Sequence, residues 1–189
     1  MRKLLKPNLY VALVHYPVIN KSGNIIASAV TNLDLHDIAR ASRTYGVTKF
    51  YVVTPLEDQK ELTREIICHW TSGIGSTLNT DRRRAIELIR IMDSVNAVIE
   101  DISADGKGYP KTVVTSAKDS PGCISYPELR GMLEDFHPYL LLFGTGWGLA
   151  EEIVLKADYM LEPVKGNSDY NHLSVRSACS IILDRLISN

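Results

Sequence analysis

The chain has 189 residues, with 21 Lys and Arg against 22 Asp and Glu, so its formal charge is −1. A composition of 45% apolar residues, 12 glycines and 8 prolines excludes a disordered, collagen-like or coiled-coil protein. No apolar run approaches the ~18 residues of a membrane span. The charge balance means that any surface for nucleic acid must be a local cluster of basic residues. We expect a single domain over residues 1–189.

The three cysteines are scattered along the chain, at Cys68, Cys123 and Cys179. An odd number without paired spacing argues against a disulfide scaffold and against a zinc site. The five histidines show no ligand spacing, so we expect no metal. The start of the chain, Met1–Pro7, is basic but lacks the apolar core of a secretory signal. These features favour a cytoplasmic protein.

Short apolar runs alternate with helical patterns in the first half of the chain. Strands are predicted at Leu9–His15 and Lys49–Thr54, a turn at Lys21–Asn24 and a polar loop at Thr71–Asn79. Helices are predicted over Leu33–Tyr45 with Asn32 as N-cap and Gly46 as stop, over Pro55–Trp70, and from a cap at Asp81 to about Asp93.

The second half continues the alternation. Strands are predicted at Val95–Ile99, Thr112–Thr115, Tyr139–Phe143 and Tyr159–Leu161, and helices at Tyr126–Asp135, Leu149–Lys156 and Leu173–Ile187. The pattern predicts an α/β fold with a mainly parallel sheet and helices on both faces. Ligands of such sheets bind at the carboxyl ends of the strands, which indicates the loops at Thr54, Gly144–Gly148 and Glu162–Asn171.

A glycine-rich loop follows the most apolar of these strands. Gly144, Gly146 and Gly148 alternate with other residues, which is neither the dinucleotide fingerprint nor a phosphate loop. The next helix begins with Glu151 and Glu152, whose carboxylates favour a neutral or cationic ligand over a phosphate. A simple strand-to-helix turn is an equally good interpretation of the glycines. The loop Glu162–Ser174 is long, and binding loops and capped surface loops both fit it.

Three segments together resemble the SPOUT class of S-adenosylmethionine-dependent RNA methyltransferases. They are Asn32–Val47, with an arginine in its helix and a glycine at its end, Leu140–Leu149, and Met160–Pro163 followed by Asn171–Ala178. The whole chain is similar to a stand-alone bacterial family related to the tRNA guanine-N1 methyltransferases. The stretch His69–Gly75, with Asn79 and Arg82, is part of that similarity.

The resemblance implies a C-terminal deep trefoil knot, a homodimer with its sites at the subunit interface, and S-adenosylmethionine as cofactor. It implies transfer of a methyl group to tRNA or rRNA. The residues that it places around the cofactor are Leu142, Gly144, Gly146, Trp147, Glu162, Val164, His172 and Leu173.

The same resemblance indicates the residues for catalysis and RNA binding. Arg40 matches an arginine beside the target hydroxyl in the ribose-methylating branch, and Asp169 matches the general base of the guanine-N1 branch. His172 is a third candidate for proton transfer, since imidazole is a common general acid and base in enzymes. Arg43, His69 and Arg82 are expected to contact RNA. For each, an exposed residue without such a role is the alternative.

Two departures bear on the methylated atom. Asp34 and His172 stand where the ribose-methylating branch has asparagine, which favours a base over the ribose as target. We further expect Arg40, Arg43 and Arg82–Arg84 to form a basic patch around the glycine loop. A knotted module that binds RNA or cofactor without methyl transfer is the alternative function. A nucleotide-dependent oxidoreductase is a third hypothesis, but no dinucleotide fingerprint follows the first strand.

Overall fold

Six parallel strands form one sheet in the computed structural model, which describes residues 8–188. The segment Met1–Pro7, for which a secretory signal is not expected, lies outside the described residues. The strands are β1 (Leu9–Val14), β2 (Val18–Ile19), β3 (Ile25–Ile26), β4 (Phe50–Val53), β5 (Ile89–Met92), β6 (Lys111–Val114), β7 (Tyr139–Gly144) and β8 (Tyr159–Met160). The order in the sheet is β5-β4-β1-β7-β6-β8, and β2 and β3 form a separate hairpin.

The central strand β1 is buried along its whole length and pairs in parallel with β4 and β7. A strand with neighbours on both sides and helices on both faces needs apolar side chains in both directions, which explains its unbroken apolar sequence. In β7 the same reasoning holds for Tyr139–Phe143, all buried. The predicted α/β fold with a parallel sheet is confirmed.

Helices cover both faces of the sheet. They are α1 (Asn32–Thr44), α2 (Glu57–Thr71), α3 (Gly75–Leu78), α4 (Thr80–Ile86), α5 (Val95–Ile102), α6 (Tyr126–Met132), α7 (Glu151–Lys156) and α8 (Val175–Ile187), with a π-helical turn at Ser103–Lys107 and a 3-10 turn at Leu133–Asp135. Alternate residues of β1 divide the core in two. Leu9, Val11 and Leu13 pack with α1, α4, α6 and α8, whereas Tyr10, Ala12 and Val14 pack with α5 and α7.

Several local predictions are wrong. The helix predicted from Asp81 to Asp93 ends at Ile86, and Ile89–Met92 forms β5 against β4. The strand predicted at Val95–Ile99 is helix α5, because the Ser94 hydroxyl accepts a hydrogen bond from the Ala97 amide at 3.2 Å and starts a helix. The predicted loop Thr71–Asn79 contains α3.

The predicted helix caps also need correction at two places. Thr31, not Asn32, caps α1, and Asn79, not Asp81, caps α4. The final helix is capped by Ser174, the last residue of the loop Glu162–Ser174. Asn171 of that loop donates to the carbonyl of Ala117 at 2.9 Å.

Candidate cofactor and RNA site

The glycine loop leaves β7 in a conformation that needs its glycines. A Cβ on Gly144 would lie 2.5 Å from the amide nitrogen of Leu149, so that position admits no larger residue without a shift of the backbone. Gly146 and Gly148 have φ of +61° and +115°, in the region that favours glycine. The tight turn from β7 back to Leu149 therefore depends on these glycines.

The β2–β3 hairpin fastens this loop from one side. Trp147 donates its amide to the carbonyl of Ile19, and the amide of Ile19 donates to the carbonyl of Gly148, both at 3.0 Å. Val18 and Leu149 form an antiparallel bridge. The amide of Trp147 is therefore occupied within the protein, while its side chain is 53% exposed.

Loops after three neighbouring strands converge at the carboxyl end of the sheet. After β6, Asp119 forms an ion pair with Lys165 of the loop after β8, with 2.9 Å between Oδ2 and Nζ. Asn171 of the same loop bonds to Ala117, and Ile124 forms a parallel bridge with Leu161. The glycine loop follows β7, which lies beside β6 in the sheet. This edge is where ligands of parallel sheets bind.

The residues that the sequence places around the cofactor follow this edge of the sheet. Leu142 is buried in β7, and Val164 packs against the half of the core that faces α1 and α8. Glu162 is half-buried, and its carboxylate accepts from the Tyr126 amide at 2.9 Å, so the side chain caps α6. His172 and Leu173 are exposed, and the His172 ring lies edge-on to Tyr170 with centroids 5.4 Å apart.

Four arginines line a cleft of about 460 Å³ between α1 and α4. They are Arg40 and Arg43 of α1 and Arg82 and Arg84 of α4. Arg83 does not line it and instead pairs with Glu87 at 2.8 Å. Four of the five arginines of the predicted basic patch therefore line one cleft. No residue of the glycine loop lines that cleft, so the arginines do not surround the loop there as predicted.

An aromatic cluster supports one of these arginines. The Arg82 guanidinium lies over the Trp70 indole, 4.5 Å from the ring centroid. The rings of His36 and His69 stand edge-on to Trp70, with centroids 5.4 and 5.0 Å from it. Burial lowers the pKa of His36, and the charges of Arg82 and Arg40 act in the same direction, while Asp37 opposes them. The expected RNA contacts His69 and Arg82 thus share one aromatic support.

The three candidates for catalysis do not share one cavity. Arg40 lines the arginine cleft and a second groove between α1 and α8, and neither includes Asp169 or His172. Asp169 and His172 are exposed in the loop before α8. A composite site would need another surface to bring them to Arg40.

An ion pair joins the start of α8 to α1. Arg176 contacts Asp34 and Asp37, with 3.3 Å between nitrogen and oxygen in each pair. The Asp34 carboxylate also accepts from the Thr31 hydroxyl at 2.6 Å and is nearly buried. Each carboxylate oxygen of Asp34 therefore has a partner within the protein, Thr31 for Oδ2 and Arg176 for Oδ1.

A hydrogen-bonded line that the sequence analysis missed starts at His15. Its ring is completely buried at the end of β1, and Nδ1 lies 3.0 Å from the Ser28 hydroxyl. Ser28 bonds to the hydroxyl of Thr145 in the glycine loop. Burial lowers the pKa of His15 to about 4, with Asp34 opposing the shift. The sequence offered one signal, a histidine at the end of an otherwise apolar strand.

Within residues 8–188 no group of three or more His, Cys, Asp and Glu side chains is arranged to bind a metal ion. Among the helices that the structure describes, none has the length and apolarity to cross a membrane.

Comparison with known proteins places these features in a family. A family model of SAM-dependent RNA methyltransferases matches residues 8–188. A tRNA (guanine-N(1)-)-methyltransferase of Nitratidesulfovibrio vulgaris is 50% identical over 182 residues, which are 96% of this chain and 42% of that protein. The chain therefore spans less than half of that relative.

A second relative has nearly the same length. An uncharacterized protein of Aquifex aeolicus is 39% identical over 98% of this chain and 91% of its own. The solved structure of an A. aeolicus TrmH/SpoU tRNA modifying enzyme has the same fold, with a TM-score of 0.56 and 18% identity over 97% of this chain and 75% of its own. The expected relationship is confirmed: the chain belongs to the family of SAM-dependent RNA methyltransferases.

Proposed function

We propose that this protein transfers a methyl group from S-adenosylmethionine to a base of tRNA. The observation that carries the proposal is the position of the loops after β7, β6 and β8 at one edge of the sheet, where the glycine loop lies beside two loops that are joined to each other by Asp119–Lys165 and Asn171–Ala117. The name of the relative at 50% identity supports guanine N1 as the target atom. The acidic Asp34, where the ribose-methylating branch has asparagine, favours a base as well.

The residues at this edge fit S-adenosylmethionine. The close packing of Gly144 against Leu149 fixes the course of the glycine loop, and Trp147 and Leu173, 53% and 45% exposed, offer apolar surface to a flat adenine. Glu151 and Glu152 stand exposed in the first turn of α7 and are compatible with a positively charged ligand. When bound, the cofactor supplies the activated methyl group on a cationic sulfur. Leu142, Gly146, Glu162, Val164 and His172 complete the proposed surroundings.

The protein's own part in the reaction is positioning and proton transfer. Asp169, in the exposed loop before α8, is proposed to accept the proton of the target nitrogen, with His172 as the second candidate. Arg40 is proposed to hold an RNA phosphate through its two parallel N–H groups. Arg43, His69 and Arg82 extend the phosphate-binding surface along α1, α2 and α4.

We further propose that the protein acts as a homodimer with a C-terminal trefoil knot. Asp169 lines neither of the two grooves that Arg40 lines, which supports a site shared between two copies. The groove between α1 and α8, about 580 Å³ and lined by Arg40, Tyr45 and Ile181 among others, is the proposed contact face. Three free cysteines support the cytoplasm as compartment.

Incubation with methyl-labelled S-adenosylmethionine and unfractionated tRNA tests the proposal. We expect label in tRNA, and nucleoside mass spectrometry should find it in a guanine base. Asp169→Asn should abolish transfer while Ser168→Ala, a change in the same exposed loop, should retain it. Binding of cofactor and tRNA without any transfer would overturn the proposal in favour of a binding module.

A further inference from the structure

The hydrogen-bonded line from His15 to the glycine loop has a defined direction. The Thr145 hydroxyl donates to the carbonyl of Val14 at 3.0 Å, so its oxygen accepts from the Ser28 hydroxyl. The Ser28 oxygen then accepts from His15, which requires the proton of the neutral ring on Nδ1. The line therefore runs from the end of β1, across the segment after the hairpin, into the loop after β7.

The line ties together segments that the sheet alone does not. Ser28 lies between β3 and α1, and its amide donates to the carbonyl of His15 at 2.9 Å. Thr145 follows Gly144 directly, and its amide donates to Val14 at 3.2 Å. His15 is thus bound to Ser28 through both its backbone and its ring, and Ser28 is bound to the loop. The conformation of Thr145 depends on both partners.

The second ring nitrogen of His15 indicates that the histidine is not there for stability alone. Nε2 of His15 is buried without a hydrogen-bond partner among the described residues. A buried acceptor without a partner costs free energy, and an apolar side chain of similar volume would avoid that cost. The side-chain hydrogen bond that the ring makes is the one from Nδ1 to Ser28.

We propose that His15 is a positioning residue for cofactor binding, which holds the glycine loop through Ser28 and Thr145 in the conformation that S-adenosylmethionine meets. The inference rests on the proposed function, since it assigns the glycine loop to the cofactor. His15 acts through the glycine loop and does not itself touch the cofactor.

Calorimetric titration of the full chain with S-adenosylmethionine tests the role. His15→Leu and Ser28→Ala should each weaken binding about fivefold, the effect of losing one hydrogen bond of typical net strength. His15→Asn should restore affinity to near that of the wild type, because an asparagine amide can donate from nearly the position of Nδ1. Ile102→Ala removes a fully buried side chain at the end of α5 and should lower thermal stability without changing the affinity.

A second readout separates loop position from general stability. The chain has two tryptophans, so in a Trp70→Phe background the fluorescence reports on Trp147 of the glycine loop alone. Acrylamide should quench this fluorescence more strongly after His15→Leu, and to the original extent after His15→Asn or Ile102→Ala.

The outcomes of the two proposals are distinguishable. Failure of the folded wild-type protein to bind S-adenosylmethionine would overturn the proposed function and this inference with it. Wild-type binding with unchanged affinity in His15→Leu would overturn the inference alone, as would equal loss in His15→Leu and His15→Asn.

Discussion

The guanidinium of Arg82 lies over the indole of Trp70, 4.5 Å from the ring centroid. The two residues come from different helices, α4 and α2, and Arg82 also lines the arginine cleft. The indole fixes the cation where a phosphate can reach it.

Removal of the indole should weaken RNA binding. We expect Trp70→Leu to lower the affinity for unfractionated tRNA about two- to fivefold, since a cation–π contact of ~0.5–1 kcal/mol is lost. Trp70→Phe keeps an aromatic face and should bind nearly as well. Filter binding at constant salt measures the effect, and equal affinity of both variants would contradict the proposed support.

Charge removal in the cleft should change the salt dependence of binding. For Arg43→Gln we expect the slope of log affinity against log salt concentration to fall by about 1, the effect of one lost phosphate contact. Arg83→Gln is the matched control. Arg83 lies between Arg82 and Arg84 in the sequence, but it pairs with Glu87 and does not line the cleft. An equal change of slope in both variants would show that the cleft is not the binding surface.

A methyl group on Gly144 should disrupt the glycine loop. The added Cβ would lie 2.5 Å from the Leu149 amide nitrogen, so we expect Gly144→Ala to lower the free energy of unfolding by about 2 kcal/mol or more. Gly131→Ala serves as control, since nothing lies within 4 Å of its added Cβ. At this exposed position of α6 the substitution should raise stability by up to ~1 kcal/mol. Urea unfolding measures both changes.

The buried His15 should make stability depend on pH. Its folded pKa is lowered to about 4, while the unfolded chain has the ordinary 6.5. Between these values the unfolded chain takes up a proton that the folded protein does not, so stability falls as the pH falls. From pH 7 to pH 5 this amounts to about 2 kcal/mol. Urea titrations should show this excess loss in the wild type relative to His15→Asn, and parallel losses in the two proteins would contradict it.

Local patterns predicted the sheet interior well, because β1 and β7 are buried on both faces and their apolar runs admit few other structures. They failed at Ile89–Met92 and Val95–Ile99, where the pairing of β5 with β4 and the Ser94 cap outweigh the local propensities. Such pairing depends on residues far away in the chain.

The candidate site was predicted in part for the same reason. The glycine loop follows a strand directly, so its place at the sheet edge could be inferred from the sequence. The meeting of Arg40 with Arg82 depends on how α1 packs against α4, which no local pattern fixes. The hydrogen bonds along the line through His15, Ser28 and Thr145 join residues as many as 131 positions apart in the sequence, and no sequence motif marks them.

Both margins of the sheet discourage growth by strand addition. On one side the outermost strand, β8, has two residues and offers few backbone groups to a neighbour. On the other, the Arg90 side chain donates to the carbonyls of Glu87 and Ile89, at 2.9 and 2.8 Å, and so occupies a backbone acceptor at the start of β5. Two copies of the chain that associate are therefore expected to meet through their helices. Ordered aggregates that extend the sheet from one molecule to the next are disfavoured.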